Sequence, residues 1–596
     1  MNLLFIVVPC AIVLITAYKV YGSVLVKLFR LDGTTTTPAV ELRDDVDYEP
    51  IESKFLLGQH FSAIAAAGPV VGPILACLMF GWLPAVLWIL VGSIFIGGVH
   101  DFGALVASVR HKARSIPDVV REHMSHRSYI LFLAFVWIAL VYIIVAFTDA
   151  VALSFVDQRL EETITIPRGA IASSSLIYLV LPIIMGLLLR FTKLSLNMAT
   201  VIFLPLVGVS IWAGQFVPLD ITALIYGPLP ADQLPAALAK TVKIWAVLLI
   251  VYCVVASLIP MWLLLQPRGH LGGYFLYVAL LGGIFGIIAG GIFNPEQTST
   301  VYPAFRGFTD PDSGSTVFPI LFITIACGAC SGFHSIIASG TTSKQLKNEL
   351  DARPVAYGSM LLEAMVAILS VCCVMVFAPA ALKGLSPNLI YAKGVGRFLA
   401  ELKIPLSFGI LFGLLAFTTF VYDTLDVCTR LGRYIIQELT GWKSNGGKYL
   451  ATLLTAGIPL LILTQTFVDS AGNAVPAYKH FWSLFGASNQ LLAALTLIGV
   501  TVWLHRTYKA RWVWFVVGIP MVWMYTMSTW ALLLFIKRGA FSKDGALQIP
   551  ADSVSWVAIV LVALALLVLA EAIRVFISPK PPTTTPVLSN AAPISV

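Results

Sequence analysis

Residues 65–73 read Ala65-Ala66-Ala67-Gly68-Pro69-Val70-Val71-Gly72-Pro73, an apolar run with two prolines four residues apart. The hydropathy is that of a membrane-spanning helix, but the prolines remove two backbone donors and Gly68 and Gly72 admit non-helical dihedrals. The pattern predicts a span that breaks near Gly68. Backbone freed at membrane depth is tolerated only where it lines a cavity or is covered by protein. A simple proline kink is the plainer alternative. A second interrupted run, Cys327-Gly328-Ala329-Cys330-Ser331-Gly332-Phe333-His334, continues through Ser335 and Ser339-Gly340 to Thr341-Thr342. Ser331, Ser335, Ala338 and Thr342 share one face at helical spacing, a small polar stripe expected to face a wet interior. Close helix packing through small residues would use the same pattern.

Around these two runs the chain is apolar throughout. Of 596 residues, 58% are hydrophobic and 11% charged, far more apolar side chain than one water-soluble core can absorb. Hydropathy windows fall at 3–29, 60–80, 82–108, 128–156, 169–189, 197–217, 240–265, 271–293, 317–342, 356–380, 405–436, 449–467, 483–505, 511–537 and 553–577, so the reading is an all-α membrane protein with about fifteen transmembrane helices. The first window has no basic residue before it and no small-residue cleavage site after it, and is read as a retained helix. Residues 1–59 form that extra helix and a cytoplasmic link, 60–578 the core, and 579–596, rich in Pro and Thr, a disordered cytoplasmic tail.

The formal charge of +8 does not indicate nucleic acid, because Lys and Arg sit in short links between spans rather than on one face. They set topology instead. With the N-terminus outside, the link holding Arg110, His111, Lys112, Arg114, Arg121, His123, His126 and Arg127 is cytoplasmic. The segment from Lys383 to Lys403 is basic on the side read as external, which points to an amphipathic surface helix or a local miscount. All eight cysteines lie in or at the edges of apolar spans, so no disulfide framework is expected. Cys327 and Cys330 form a CxxC without a second pair, and neither metal nor cofactor is expected.

Alternation makes the first broken span enter from the cytoplasm and the second from outside, as paired members of an inverted repeat would. Half-helix N-termini at such breaks offer N–H groups to anions. Gly68, Pro69, Gly72, Ser331, Gly332, His334, Ser335, Thr341 and Thr342 are therefore the substrate-binding candidates. His334 is placed to donate to a carboxylate or to carry a proton. In the window 405–436, Thr419, Asp423, Asp426 and Arg430 stand at offsets of four, three and four and stack on one face. Arg430 is positioned to pair with Asp426, which leaves Asp423 the freer carboxylate for proton or cation coupling. Thr418 and Thr419 add hydroxyls of the kind hard cations accept, so proton and sodium both stay open. Asp101 and Glu363 complete the coupling candidates, whereas His100 and Asp149, near span ends, are read as structural. The amides of Asn489 and Gln490 are read as helix packing. Buried polar groups in this pattern predict a secondary transporter of small carboxylate-bearing nutrients. An intramembrane enzyme using His60, His100 and Asp101 as metal ligands, or a nutrient sensor, are the alternatives.

The chain resembles the carbon starvation protein A family of bacterial inner-membrane transporters. The resemblance rests on Gly58-Gln59-His60-Phe61 leading into Ala65 to Pro73, on Phe322-Ile323-Thr324-Ile325-Ala326-Cys327-Gly328-Ala329, and on Ser331-Gly332-Phe333-His334 with Ser339-Gly340-Thr341-Thr342. Trp262-Leu263-Leu264-Leu265, the Asp426 to Arg430 segment and Phe485-Gly486 with Asn489-Gln490 extend it over nearly the whole chain. It implies a leucine-transporter-like (APC-type) inverted repeat with two discontinuous helices. It also implies proton-driven import of pyruvate or peptides by alternating access at the inner membrane. Extramembrane segments around 380–405 are shorter than in longer family members.

Overall fold

A helix rises about 1.5 Å per residue, so some 20 apolar residues cross a hydrocarbon layer of about 30 Å with every backbone group paired inside the segment. The computed structural model describes residues 1–44, 48–156, 167–468, 474–541, 547–550 and 552–578. The expected disordered tail lies outside them.

The main helices in chain order are α1 (Leu4–Leu28), α2 (Ser53–Ile64), α3 (Gly68–Phe80), α4 (Trp82–Arg110), α5 (Ile116–His123), α6 (His126–Val156), α7 (Ala170–Phe191), α8 (Leu196–Gly214), α9 (Leu234–Leu258) and α10 (Leu265–Phe293). They continue with α11 (Val317–Thr324), α12 (Gly332–Ile337), α13 (Glu349–Met375), α14 (Pro387–Glu401), α15 (Leu406–Thr440), α16 (Asn445–Thr464), α17 (Ala477–Tyr508), α18 (Trp514–Ala540) and α19 (Ser553–Ile577). Among the described residues, thirteen of these are long and apolar enough to cross a membrane, or up to 14 if the bent pair α2 and α3 is one span.

Burial sorts the helices into an inner set and an outer ring. The most apolar windows of α15 and α17 are 94% and 100% buried, against 22% for α1 and 28% for α8. Outer helices turn Ile12, Val201 and Trp212 outward, the side chains a lipid-facing surface requires. The polar residues of interest therefore lie on helices shielded from lipid.

Both interrupted runs are broken. The first span bends by 48° between α2 and α3, across Ala65 to Ala67 and directly before Gly68. It begins at Ser53 rather than at residue 60, because Ser53, Lys54 and Gln59 depress the hydropathy while Phe55 and Leu56 are buried. The second unwinds between Thr324 and Gly332 and resumes as α12, which continues as a π-helical turn over Ala338–Thr342. His334 thus sits in the first turn of the resumed helix rather than in the unwound stretch.

The segment from Lys383 to Lys403 is not a surface helix. Its α14 is buried against α10, α13 and α15. A Cβ on Gly394 would stand 2.3 Å from the Cβ of Cys373, and one on Gly413 would stand 2.8 Å from the Cα of Ala392, so glycine is what admits this contact. Asp149 serves the fold by accepting from the backbone N–H of Tyr478 at 2.8 Å, at the start of α17.

Candidate functional site

The two breaks pack directly on each other. A Cβ added to Gly68 would fall 2.2 Å from Cys327 Sγ, and one added to Gly72 would fall 2.4 Å from the carbonyl oxygen of Thr324. Gly68, Pro69 and Gly72 are buried in this crossing, so the glycines serve close backbone approach rather than an open binding space. The freed groups of the second break are covered by neighbouring helices. Gln490 Nε2 donates to Phe322 O at 2.6 Å, and Trp88 Nε1 donates to Ile325 O at 3.3 Å. Asn489 Oδ1 accepts from Phe333 N at 2.9 Å, while its Nδ2 donates to Ser331 Oγ at 2.9 Å. The N-terminus of α12 is therefore capped by protein and is not the open anion site expected of a half-helix. Asn489 and Gln490 have the packing role read for them.

The polar stripe divides. Ser331 and Ser335 face α17, where Ser335 Oγ lies 2.9 Å from Thr496 Oγ1. Thr342 faces α2 instead, its Oγ1 2.8 Å from His60 Nδ1, and Thr341 donates within its own helix to Ile337 O. The reason is the π turn, whose extra residue rotates Thr342 off the face a regular helix would give it.

Beside the breaks runs a fully buried chain of ionisable groups. His100 Nδ1 stands 2.7 Å from Asp101 Oδ1, and His334 Nδ1 stands 2.8 Å from Asp101 Oδ2. An ionised carboxylate only accepts, so both rings donate from Nδ1. His334 Nε2 then faces Glu363 Oε2 at 3.2 Å. That is an ion-pair distance without hydrogen-bond geometry, and neither His334 Nε2 nor either Glu363 oxygen has a hydrogen-bond partner among the described residues. Asp101, His334 and Glu363 come from α4, α12 and α13, which no sequence spacing relates.

A second cluster corrects the reading of α15. Arg430 does not pair with Asp426. Its Nη2 donates to Ala256 O and Ile259 O, both at 2.8 Å, closing the C-terminal end of α9. Both aspartates turn to Arg268, near the start of α10. Arg268 Nε donates to Asp423 Oδ1 at 2.5 Å, Nη1 to Asp426 Oδ2 and to Tyr252 OH, and Nη2 to Tyr422 O at 3.2 Å. Tyr252 OH donates in turn to Asp426 Oδ2 at 2.9 Å, and Ser62 Oγ donates to Asp423 Oδ2 at 2.5 Å. Asp423 is thus tied down, not free. Sequence reading missed Arg268 because it falls between two hydropathy windows and looks like one more basic link residue. Thr418 Oγ1 lies 3.3 Å from Ser175 Oγ, and Thr419 Oγ1 has no hydrogen-bond partner among the described residues.

A cleft enters between α2, α10, α15 and the π turn, with His60 and Thr342 on one wall and Asp423 on another. Gln59, Gln266 and Thr341 add polar lining. His60, His100 and Asp101 do not form a ligand set. Among the described residues, the His, Cys, Asp and Glu side chains that converge closely enough to hold an ion are His111, Glu122 and His123 in the link after α4. There His111 Nδ1 donates to Ala107 O at 2.6 Å, so its Nε2 accepts from His123 Nε2 at 2.8 Å. Burial, then His111 and Arg506, push the His123 imidazole down to about 4. The eight cysteines are free and buried.

The profile of a family described as Carbon starvation protein CstA matches residues 2–389 and 381–531. The pyruvate/proton symporter BtsT of Escherichia coli (strain K12) is 32% identical, covering 89% of this chain and 81% of its own. The peptide transporter CstA of Campylobacter jejuni subsp. jejuni is 32% identical, over 87% of this chain and 78% of its own. The peptide transporter CstA of Escherichia coli (strain K12) is 31% identical, over 91% and 82%. Among solved structures, the Eremococcus coleocola manganese transporter aligns over 90% of this chain and 98% of that one at 14% identity, with a TM-score of 0.44.

Proposed function

This chain belongs to the carbon starvation protein CstA family, and from that premise we propose that it is a secondary active transporter importing pyruvate or small peptides together with protons, by alternating access. The observation that carries the reading is the crossing of two unwound spans beside a cleft that one side of the protein opens to Asp423 and His60. Paired broken helices at mid-membrane are how secondary transporters build a site that either side can reach. The relatives named for pyruvate and for peptides support both substrate classes.

The order of elements supports a leucine-transporter-like inverted repeat of fifteen crossings, counting each broken span once. A broken span, a long helix, a short helix and a long helix follow one another as α2 with α3, α4, α5 and α6. They recur as α11 with α12, α13, α14 and α15. With the N-terminus outside, the cleft-lining ends of α2, α10, α15 and the π turn all belong to the cytoplasmic side, so the conformation is inward-facing.

Proton coupling is favoured over sodium by the chemistry of the buried groups. Asp101, His334 and Glu363 put three neighbouring groups able to hold a proton in one buried chain, and His60, which lines the cleft, lies within electrostatic reach of Asp101 and His334. Thr419, Asp423 and Asp426 stay in the coupling set, with Asp423 at the cleft. The test is uptake of labelled pyruvate and of labelled alanylalanine into proteoliposomes under an imposed pH gradient, with a sodium gradient as the second arm. Accumulation driven by the pH gradient is expected; accumulation of neither compound sinks the transporter reading.

A further inference from the structure

Resting on the transporter reading, we propose that Arg268 is the receptor for the carboxylate of the transported molecule, that Asp423 masks it in this conformation, and that one proton on Asp423 unmasks it. A guanidinium forms strong charge-assisted hydrogen bonds to carboxylates, and the donor on offer here is Nε, now held by Asp423 Oδ1. Arg268 is wholly buried, and all three of its nitrogens are occupied. A structural arginine is neutralised by one carboxylate. This one has two, so with both ionised the cluster would carry an excess negative charge, and Asp426 Oδ1 has no hydrogen-bond partner among the described residues. Surplus charge in a buried site is costly to keep.

The two aspartates are not equivalent. Asp426 is held from α9 by Tyr252, whereas Asp423 lines the cleft together with Gln266 and Gly269, which flank Arg268 in sequence. A ligand in the cleft therefore meets Asp423 first. Without a proton, an entering carboxylate would set three anions against one guanidinium. With a proton on Asp423, the substrate carboxylate takes its place on Arg268 Nε and the charge of the cluster is unchanged. One proton accompanies each carboxylate, and on release Asp423 loses the proton and closes back onto Arg268. Because Ser62 holds the other oxygen of Asp423 from α2, the exchange is mechanically linked to one half of the first broken span. The other titratable or charged groups facing the pair are Tyr178 from α7, Tyr252 and Cys253 from α9, His60 across the cleft from α2, and Tyr422 and Asp426 on α15.

The experiment measures pyruvate and alanylalanine binding to the purified full chain between pH 5 and 8, beside exchange and gradient-driven accumulation in proteoliposomes. Wild-type affinity should rise as pH falls, by up to about tenfold per pH unit. Pyruvate methyl ester and alanylalanine amide, which lack the carboxylate, should not compete. Asp423→Asn should bind with little pH dependence and fail to accumulate. Arg268→Gln alone leaves two unpaired carboxylates and risks misfolding, so it is combined with Asp423→Asn and Asp426→Asn. That neutral variant should insert and bind about 100-fold more weakly than Asp423→Asn, the size of a lost charged hydrogen-bond pair. Equal affinity in the two variants, or wild-type pH dependence in Asp423→Asn, overturns the assignment of Arg268 and Asp423 while leaving the transporter reading intact. Absence of both binding and uptake in the wild type removes that reading and this one with it.

Discussion

Gln490 Nε2 reaches from α17 to the carbonyl of Phe322 at 2.6 Å, in the last turn of α11 before the second break. A carbonyl that loses its helical donor inside a membrane protein needs another, and this amide supplies it. Gln490→Leu keeps the approximate bulk and deletes the donor. The expected loss is about 1–3 kcal/mol, the penalty for leaving a buried acceptor unpaired, read as a lowered melting midpoint of purified protein in detergent. An unchanged midpoint would show that the carbonyl is satisfied some other way.

The crossing of the two breaks predicts a rescue. Gly68→Ala places its Cβ against the side chain of Cys327, whereas Gly72→Ala meets the Thr324 carbonyl. Each substitution should destabilise by about 1–3 kcal/mol, as overpacking does. Adding Cys327→Gly should restore much of the first and none of the second. Equal rescue of both by Cys327→Gly would contradict the contact.

Glu363→Gln and His334→Gln test the buried relay. Either should leave substrate exchange intact, because exchange requires no net proton movement, and should abolish accumulation against a gradient. Substrate binding in Glu363→Gln should keep its wild-type pH dependence, which separates delivery of the proton from its competition with substrate at Asp423. Wild-type accumulation in both variants would place the proton route elsewhere.

Topology can be read with thiol reagents because the native cysteines are all buried. Asp312, whose side chain is 82% exposed, should label as Asp312→Cys only from outside. Arg114→Cys should label only from the cytoplasmic side. The reverse pattern would invert the orientation of every span.

His123 lies on α5, outside the spanning helices, and stays neutral in the fold to about pH 4. Its folded value is below the unfolded one near 6.5, so the unfolded chain binds the proton more readily as pH falls between those values. Its contribution to stability is present above pH 6.5 and is lost between 6.5 and about 4. His123→Gln should flatten the pH dependence of thermal stability across that window; an identical profile would mean that other groups dominate it.

The membrane class, the two breaks and the acidic residues inside apolar runs were legible along the chain. Hydropathy, proline and glycine act locally, and a charge inside an apolar run stands out wherever the run ends up. Asp101, His334, Glu363, Asp423 and Asp426 could each be picked out for that reason. Their partners could not. Arg430 sits one helical turn from Asp426, yet it caps α9, and both aspartates take Arg268, which is 155 positions from Asp423 in the chain. Both guanidiniums are buried, so the choice between those pairings depends on which one the packed helices bring to the aspartates, which spacing along one helix does not encode. The same holds for Thr342, which a regular helix places on the face of Ser331 but a single π turn delivers to His60. The sequence by itself determined what had to be buried, whereas only the tertiary structure decided against what, because desolvation makes every buried charge and freed backbone group seek whichever partner the fold brings within reach.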